Sequence, residues 1–167
     1  MDNQEIVQNI TSEACVALFR DYALPLQPVA ESADANPELL YCSVIGFSSD
    51  RMRGTLVLAT TTEPLGRTNP VQGASLREWV AELSNQLLGR IKRQLVDRGV
   101  VIALSTPIVL RGEHLCPLPN GTISKLSFVC DGGFVCVWFD AELAPELDLS
   151  QVQKDGEVIA EGEALLF

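Results

Sequence analysis

Leu76, Val80, Leu83, Leu87, Ile91 and Leu95 recur every three or four residues, which commits the middle of the chain to one amphipathic helix. Its ends are marked too. Ser75-x-x-Glu78 has the form of a capping box, in which the serine oxygen takes a free backbone N–H and Glu78 reaches back. Arg98 stands in the last turn, and Gly99 follows where a left-handed cap is needed, so the pattern predicts a helix over Leu76–Arg98. An apolar stripe of this kind needs a second layer to cover it, and the flanking sequence is rich in β-favouring runs. Leu39–Phe47 and Gly54–Thr60 surround a turn at Ser48–Arg53, and Val100–Leu110 is a further run interrupted at Pro107. Thr122–Val129 and Phe134–Asp140 flank Asp131-Gly132-Gly133 and read as a hairpin. Upstream, Ile6, Ile10, Ala14, Ala17 and Leu18 give Asn3–Tyr22 helical spacing, ended by Pro25 and Pro28. Ala30–Glu38, Thr61–Gly73 and Arg111–Gly121 read as loops, each carrying proline. The order α-β-β-α-β-β-β predicts an α/β layer fold in which helices pack on a largely antiparallel sheet.

The 167 residues are enough for one domain, 1–167, with its core over about 3–140 and an acidic tail from 141 to 167. In that tail Val158–Ala160 and Leu165–Phe167 are candidates for a short terminal strand. A formal charge of −10 repels phosphate backbones and anionic lipid, which argues against nucleic-acid or membrane-surface partners. No run is long and apolar enough to span a bilayer, and Met1-Asp2-Asn3-Gln4-Glu5 has neither the basic start nor the apolar stretch of a secretory signal. The expected location is the cytoplasm. Five cysteines form no CxxC pair, and their odd number fits free thiols packed mostly as small apolar groups.

Familiar catalytic constellations are missing. The one histidine, His114, has only Cys116 near it in sequence, too thin a set for zinc, which wants about four ligands. No GxSxG, GxxxxGK[ST] or GxGxxG occurs. The long helix is more informative. At about 100° per residue, Glu82, Asn85 and Gly89 fall almost opposite the leucine stripe. Glu82 and Asn85 are neighbours at i, i+3, and Gly89 leaves the next turn bare at a cost near 1 kcal/mol relative to alanine. Taken by itself this pattern has two readings, a docking face or an ordinary solvated one, and the second is commoner.

The run Glu82-Leu83-Ser84-Asn85-Gln86-Leu87-Leu88-Gly89-Arg90-Ile91-Lys92 is followed by Leu95, Gly99, Ser105-Thr106-Pro107-Ile108-Val109 and Gly112. This stretch resembles the CheX-like branch of the CheC/CheX/FliY chemotaxis phosphatases, which carry ExxN on a long helix, a small residue one turn later, and a strand with Ser-x-Pro or Ser-Thr-Pro. The continuous likeness runs over about Ser75–Gly112. It implies a CheC-like layered fold and hydrolysis of the aspartyl phosphate on a CheY-like response regulator, in chemotaxis or related two-component signalling. Carried over, Asn85 orients the attacking water and Glu82 pairs with the receiver's active-site lysine, with Glu82, Asn85, Gln86 and Gly89 forming the partner-binding face. The chain itself would hold no cofactor or metal, since Mg²⁺ comes with the receiver. The branch also implies a homodimer joined partly through strand edges. Double-site relatives carry a second ExxN on the first helix. Here that helix offers only Glu5-x-x-Gln8 and Glu13-x-x-Val16, so one site per chain is expected.

That chemistry suits the residues. An acyl phosphate is already reactive, so positioning a water and organising charge can suffice. An amide both accepts and donates hydrogen bonds without bringing negative charge to a phosphate. Two other readings remain open on the sequence: a receiver-binding module without turnover, and an oligomerisation domain with Glu82 and Asn85 incidental.

Overall fold

The computed structural model describes residues 1–30, 38–118 and 122–153. Among them, three helices lie against one seven-stranded antiparallel sheet. The elements are α1 (Asn3–Asp21), β1 (Gln27–Val29), β2 (Leu40–Ser48), β3 (Met52–Thr60), α2 (Thr62–Thr68), α3 (Leu76–Val96), β4 (Ala103–Leu104), β5 (Ile108–Gly112), β6 (Thr122–Cys130) and β7 (Gly133–Leu143). In space the strands run β1-β6-β7-β3-β2-β4, and β5 pairs with β2.

Alternation along the strands sorts side chains onto two faces. Ile45, Phe47, Leu56, Leu58, Val135, Val137 and Phe139 form one core with the buried sides of all three helices. Leu40, Cys42, Val57, Ala59, Cys136 and Trp138 make a smaller cluster on the other face. The layered fold with a largely antiparallel sheet is therefore as the sequence predicts.

Four local differences have physical causes. First, α2 occupies part of the stretch expected to be a loop. Pro64 sits in its first turn, where a missing N–H breaks no intrahelical bond, and Leu65 is fully buried. The helix is fastened by Thr68, whose hydroxyl accepts from Trp79 Nε1 at 2.9 Å and donates to the Pro64 carbonyl at 2.7 Å. Second, β1 carries Pro28, which is tolerated because β1 pairs with β6 alone at the sheet edge. Third, the run interrupted at Pro107 becomes two strands on the same partner. Between them the Ser105 N–H donates to the Gly46 carbonyl at 2.9 Å, and the Gly46 N–H donates to Ser105 Oγ at 2.8 Å. A side-chain oxygen thus replaces one carbonyl of the ladder. Fourth, α3 ends at Val96 instead of Arg98.

The N-terminal cap of α3 is half of the expected box: the Glu78 N–H donates to Ser75 Oγ at 3.4 Å. The reciprocal box forms at α1, between Asp2 and Glu5. At the C-terminus Gly99 takes φ of +75°. The Gly99 N–H bonds to the Val96 carbonyl and the Val100 N–H to the Leu95 carbonyl, closing a Schellman turn. Beyond β7, Leu147 and Leu149 are buried, and Asn3 bonds to both of their backbones. Arg98 also donates to the Leu149 carbonyl. The segment from 144 to 153 is therefore tied to α1 and to the end of α3. The candidate strands at Val158–Ala160 and Leu165–Phe167 lie outside the described residues.

Gly54 shows how tightly the centre of the sheet is filled. It pairs with Phe47 on one side and Ala141 on the other. A Cβ there would collide with the Asp140 carbonyl and meet the Phe47 ring, itself stacked on Phe139 with centroids 4.7 Å apart. Gly54→Ala should therefore destabilise by roughly 1–3 kcal/mol or more in urea melts. Ser84 offers the opposite case, since its hydroxyl is buried in α3 with no hydrogen-bond partner among the described residues. Ser84→Ala should raise stability by about 1 kcal/mol in the same melts, because alanine removes the stranded hydroxyl and favours the helix.

Candidate functional site

The packing of α3 decides which of its residues face water. Trp79, Val80, Leu83, Ser84, Leu87, Leu88, Ile91 and Leu95 are buried. Trp79 and Leu88 widen the stripe read from the sequence, and Leu76 is only half-buried. On the far side Glu82 and Asn85 are both exposed, while Gln86 and Gly89 are half-buried. All four residues expected at the site thus occupy one strip of one helix.

Within the strip the polar groups differ in how they are held. The Gln86 Nε2 donates to Glu82 Oε1 at 2.9 Å, a pair one helical turn apart. The Asn85 amide has no hydrogen-bond partner among the described residues and is free to take a ligand from solvent. At Gly89 a Cβ would meet nothing within 4 Å, so this turn lies open.

The C-terminal end of α1 borders the strip, which sequence periodicity does not reveal. Tyr22 donates its hydroxyl to Gln86 Oε1 at 2.9 Å. Arg90 pairs with Asp21 at 2.6 Å. The Tyr22 ring meets Trp79 edge-on, with centroids 5.1 Å apart. Only the apolar half of the α1–α3 contact has a periodic signature, so Asp21, Tyr22 and Arg90 could be found only once the helices were seen together.

The rest of the described residues offer little competing chemistry. Among the described residues no group of three or more His, Cys, Asp or Glu side chains could hold a metal ion. No helix among them is long and apolar enough to cross a membrane. His114 is exposed in the loop after β5, in a left-handed conformation with φ of +54°. A cavity of about 300 Å³ lies over the smaller apolar cluster, lined by Val44, Val57, Leu115 and Trp138 among others, and α3 contributes nothing to it. Cys15, Cys42 and Cys136 are buried and Cys116 is exposed. Burial, reinforced by Cys136, pushes the Cys15 thiol far above its ordinary range and Cys42 from 9.0 to about 11. These thiols stay protonated at neutral pH and are poor nucleophiles.

No family model matches the chain, and no curated protein matches it. Solved structures do match. Chemotaxis protein CheX from Vibrio vulnificus superposes with a TM-score of 0.71 at 18% identity, over 85% of this chain and 100% of that one. A CheC-like superfamily protein from Shewanella sp. PV-4 gives 0.67 at 19% identity, over 85% and 99% of the two chains. A structure of the CheX–CheY–BeF₃–Mg²⁺ complex from Borrelia burgdorferi gives 0.60 at 15%, over 80% and 96%. The chain has the CheX-like fold. Nearly the full length of each of these matched chains is spanned, so the fold is matched as a whole and not as a fragment.

The buried thiols yield a pH dependence. Their folded pKa values lie above those of the unfolded chain, so the unfolded state loses protons first as pH rises. Stability should hold below pH 9 and fall as pH climbs from there toward about 11, the range set by Cys42. A native iodoacetamide pulse read by mass spectrometry should label Cys116 and leave Cys15, Cys42 and Cys136 unmodified until denaturant is added.

Proposed function

We propose that this chain is a CheX-like member of the CheC/CheX/FliY family that acts in the cytoplasm on a phosphorylated CheY-like receiver and hydrolyses its aspartyl phosphate. One observation carries the reading: Glu82 and Asn85 stand side by side, exposed, on the face of α3 turned away from the core. The Borrelia burgdorferi complex supports it, since a CheX-like fold is there bound to CheY with BeF₃ and Mg²⁺.

The residues divide the work by chemistry. The free amide of Asn85 accepts a hydrogen bond from a water and orients its oxygen toward phosphorus. As the new P–O bond forms, the bond to the receiver aspartate breaks. Inorganic phosphate leaves, and the aspartate recovers its carboxylate. An amide adds no negative charge beside the phosphoryl oxygens, whereas a carboxylate at the same position would repel them. Glu82 holds the helix in register through a cation on the receiver, the lysine of its active site. Gln86 and Gly89 complete the contact, the glycine by leaving room for a loop to approach. This chain supplies no metal, because Mg²⁺ comes with the receiver at the phospho-aspartate.

We further propose a homodimer through the β4–β5 side of the sheet. Among the described residues β4 and β5 pair with no strand but β2, and this edge carries the exposed apolar side chains of Leu104, Ile108 and Leu110. The Glu82–Asn85 strip lies on the helical layer and stays outside such a contact. Light scattering should find a dimer, and Ile108→Lys should give a folded monomer.

Kinetics on a phosphorylated receiver test the activity. Asn85→Ala should keep the fold and nearly full binding to a BeF₃-loaded receiver, yet lose turnover by roughly 10²-fold or more. Glu82→Ala should weaken association as well as rate, and that loss should shrink as salt rises, since screening already weakens the pair in the parent protein. Retained turnover in Asn85→Ala would remove Asn85 from the proposed role. Binding with no acceleration of phosphate loss, across a panel of receivers from the same genome, would leave a docking module in place of an enzyme.

A further inference from the structure

We propose that Tyr22, at the end of α1, is a positioning residue that acts through Gln86 to fix the Glu82 carboxylate; this rests on the receiver-docking role given to Glu82 above. The hydrogen bonds form a chain with one sense. A carboxylate only accepts, so Gln86 must turn its NH₂ toward Glu82, where Nε2 lies 2.9 Å from Oε1. That choice sends Gln86 Oε1 the other way, and Oε1 needs a donor. The Tyr22 hydroxyl supplies it at 2.9 Å. The negative charge of Glu82 therefore sets the direction of every proton in the chain and keeps the Gln86 amide from flipping, and the phenol anchors the far end of that amide.

Tyr22 is itself held on three sides. Its backbone N–H donates to the Phe19 carbonyl at 3.1 Å as α1 ends. Its ring stands edge-on to Trp79, with an interplanar angle of 85°. Its neighbour Asp21 is paired to Arg90, one turn beyond Gln86. A long exposed carboxylate would otherwise sample several rotamers and lose that freedom on docking. The Tyr22–Gln86 relay restrains it beforehand through Oε1. Among the described residues, Oε2 accepts from no other group and remains available to a cation on the partner.

Tyr22→Phe removes only the hydroxyl and keeps the ring against Trp79, so it separates the relay from packing. On a receiver that the parent protein dephosphorylates, it should raise KM about fivefold, the scale of one hydrogen bond, with kcat changed by less than about twofold. In a Glu82→Ala background the same substitution should change KM by less than about 1.5-fold, because the group it positions is gone. An unchanged KM in the parent background, or an equal rise in both, would overturn the relay. A measurement without any receiver stands beside these. The ¹⁵N relaxation of the Gln86 side-chain amide should report a rigid group in the parent protein and a mobile one in Tyr22→Phe. An amide equally mobile in both would overturn the proposal even if the kinetics followed it. If the parent protein dephosphorylates no receiver, the phosphatase reading fails on that result, and the relaxation comparison alone decides whether Tyr22 orders the strip.

Discussion

The burial of the α3 leucine stripe on β2 and β3 is the contact from which the other features follow. It fixes the rotation of the helix about its own axis. Leu83 and Leu87 are fully buried, and at 100° per residue Glu82 and Asn85 then have nowhere to go but outward. A rotation of one residue would bring Asn85 toward the sheet and expose a leucine. Each such leucine loses roughly 1.5–3 kcal/mol when moved into water, so the candidate strip is aimed by the core with a precision that no surface contact could supply.

Both ends of that helix are closed by short-range chemistry, and the closures serve tertiary structure as well. Gly99 turns the chain sharply enough for Val100 and Ile102 to return to the core before β4 begins. Its carbonyl and the Arg98 guanidinium then meet Arg51 and the backbone of Leu149. The C-terminal end of α3 is thus tied to the β2–β3 turn and to the segment following β7. At the other end Trp79 reaches Thr68, so α2 braces the first turn of α3. A helix held at both ends and along one side can present a polar strip whose geometry does not depend on its partner.

Sequence pattern was most informative where one periodicity ran for several turns. The leucine stripe, Gly99, the Asp131-Gly132 turn and the longer β-favouring runs are legible, because each follows from a local rule, from residue propensity or, for the helix, from one-sided burial. Less was visible where tertiary contacts override local signals. Pro64 and Gly66 make Thr61–Gly73 look like a loop, yet the burial of Leu65 and the Thr68–Trp79 bond are enough to hold a short helix there. The Ser105–Gly46 exchange cannot be seen from either segment alone, since it joins residues far apart in the chain. The same holds at the candidate site. Glu82, Asn85, Gln86 and Gly89 share one helix and could be grouped by spacing. Asp21 and Tyr22 reach the strip only because α1 ends beside α3, and nothing in the spacing of α1 announces a polar contact at its last turn.

Core and site also make opposite demands on α3, and the residues show how these are reconciled. The buried side carries large aliphatic groups and tolerates even a stranded serine hydroxyl. The open side carries a bare glycine, an unpartnered amide and a carboxylate, each of which contributes little to folding. Because nothing meets a Cβ at Gly89, alanine there should help the helix by about 1 kcal/mol, so the glycine is not explained by the fold. Asn85 gains no hydrogen bond among the described residues either. Residues that the isolated chain does not need for stability, placed together on a helix that the core orients rigidly, are most simply explained by a surface that approaches from outside. The Tyr22–Gln86–Glu82 chain fits the same logic: it orders a carboxylate at the surface, where the fold itself has no use for that order.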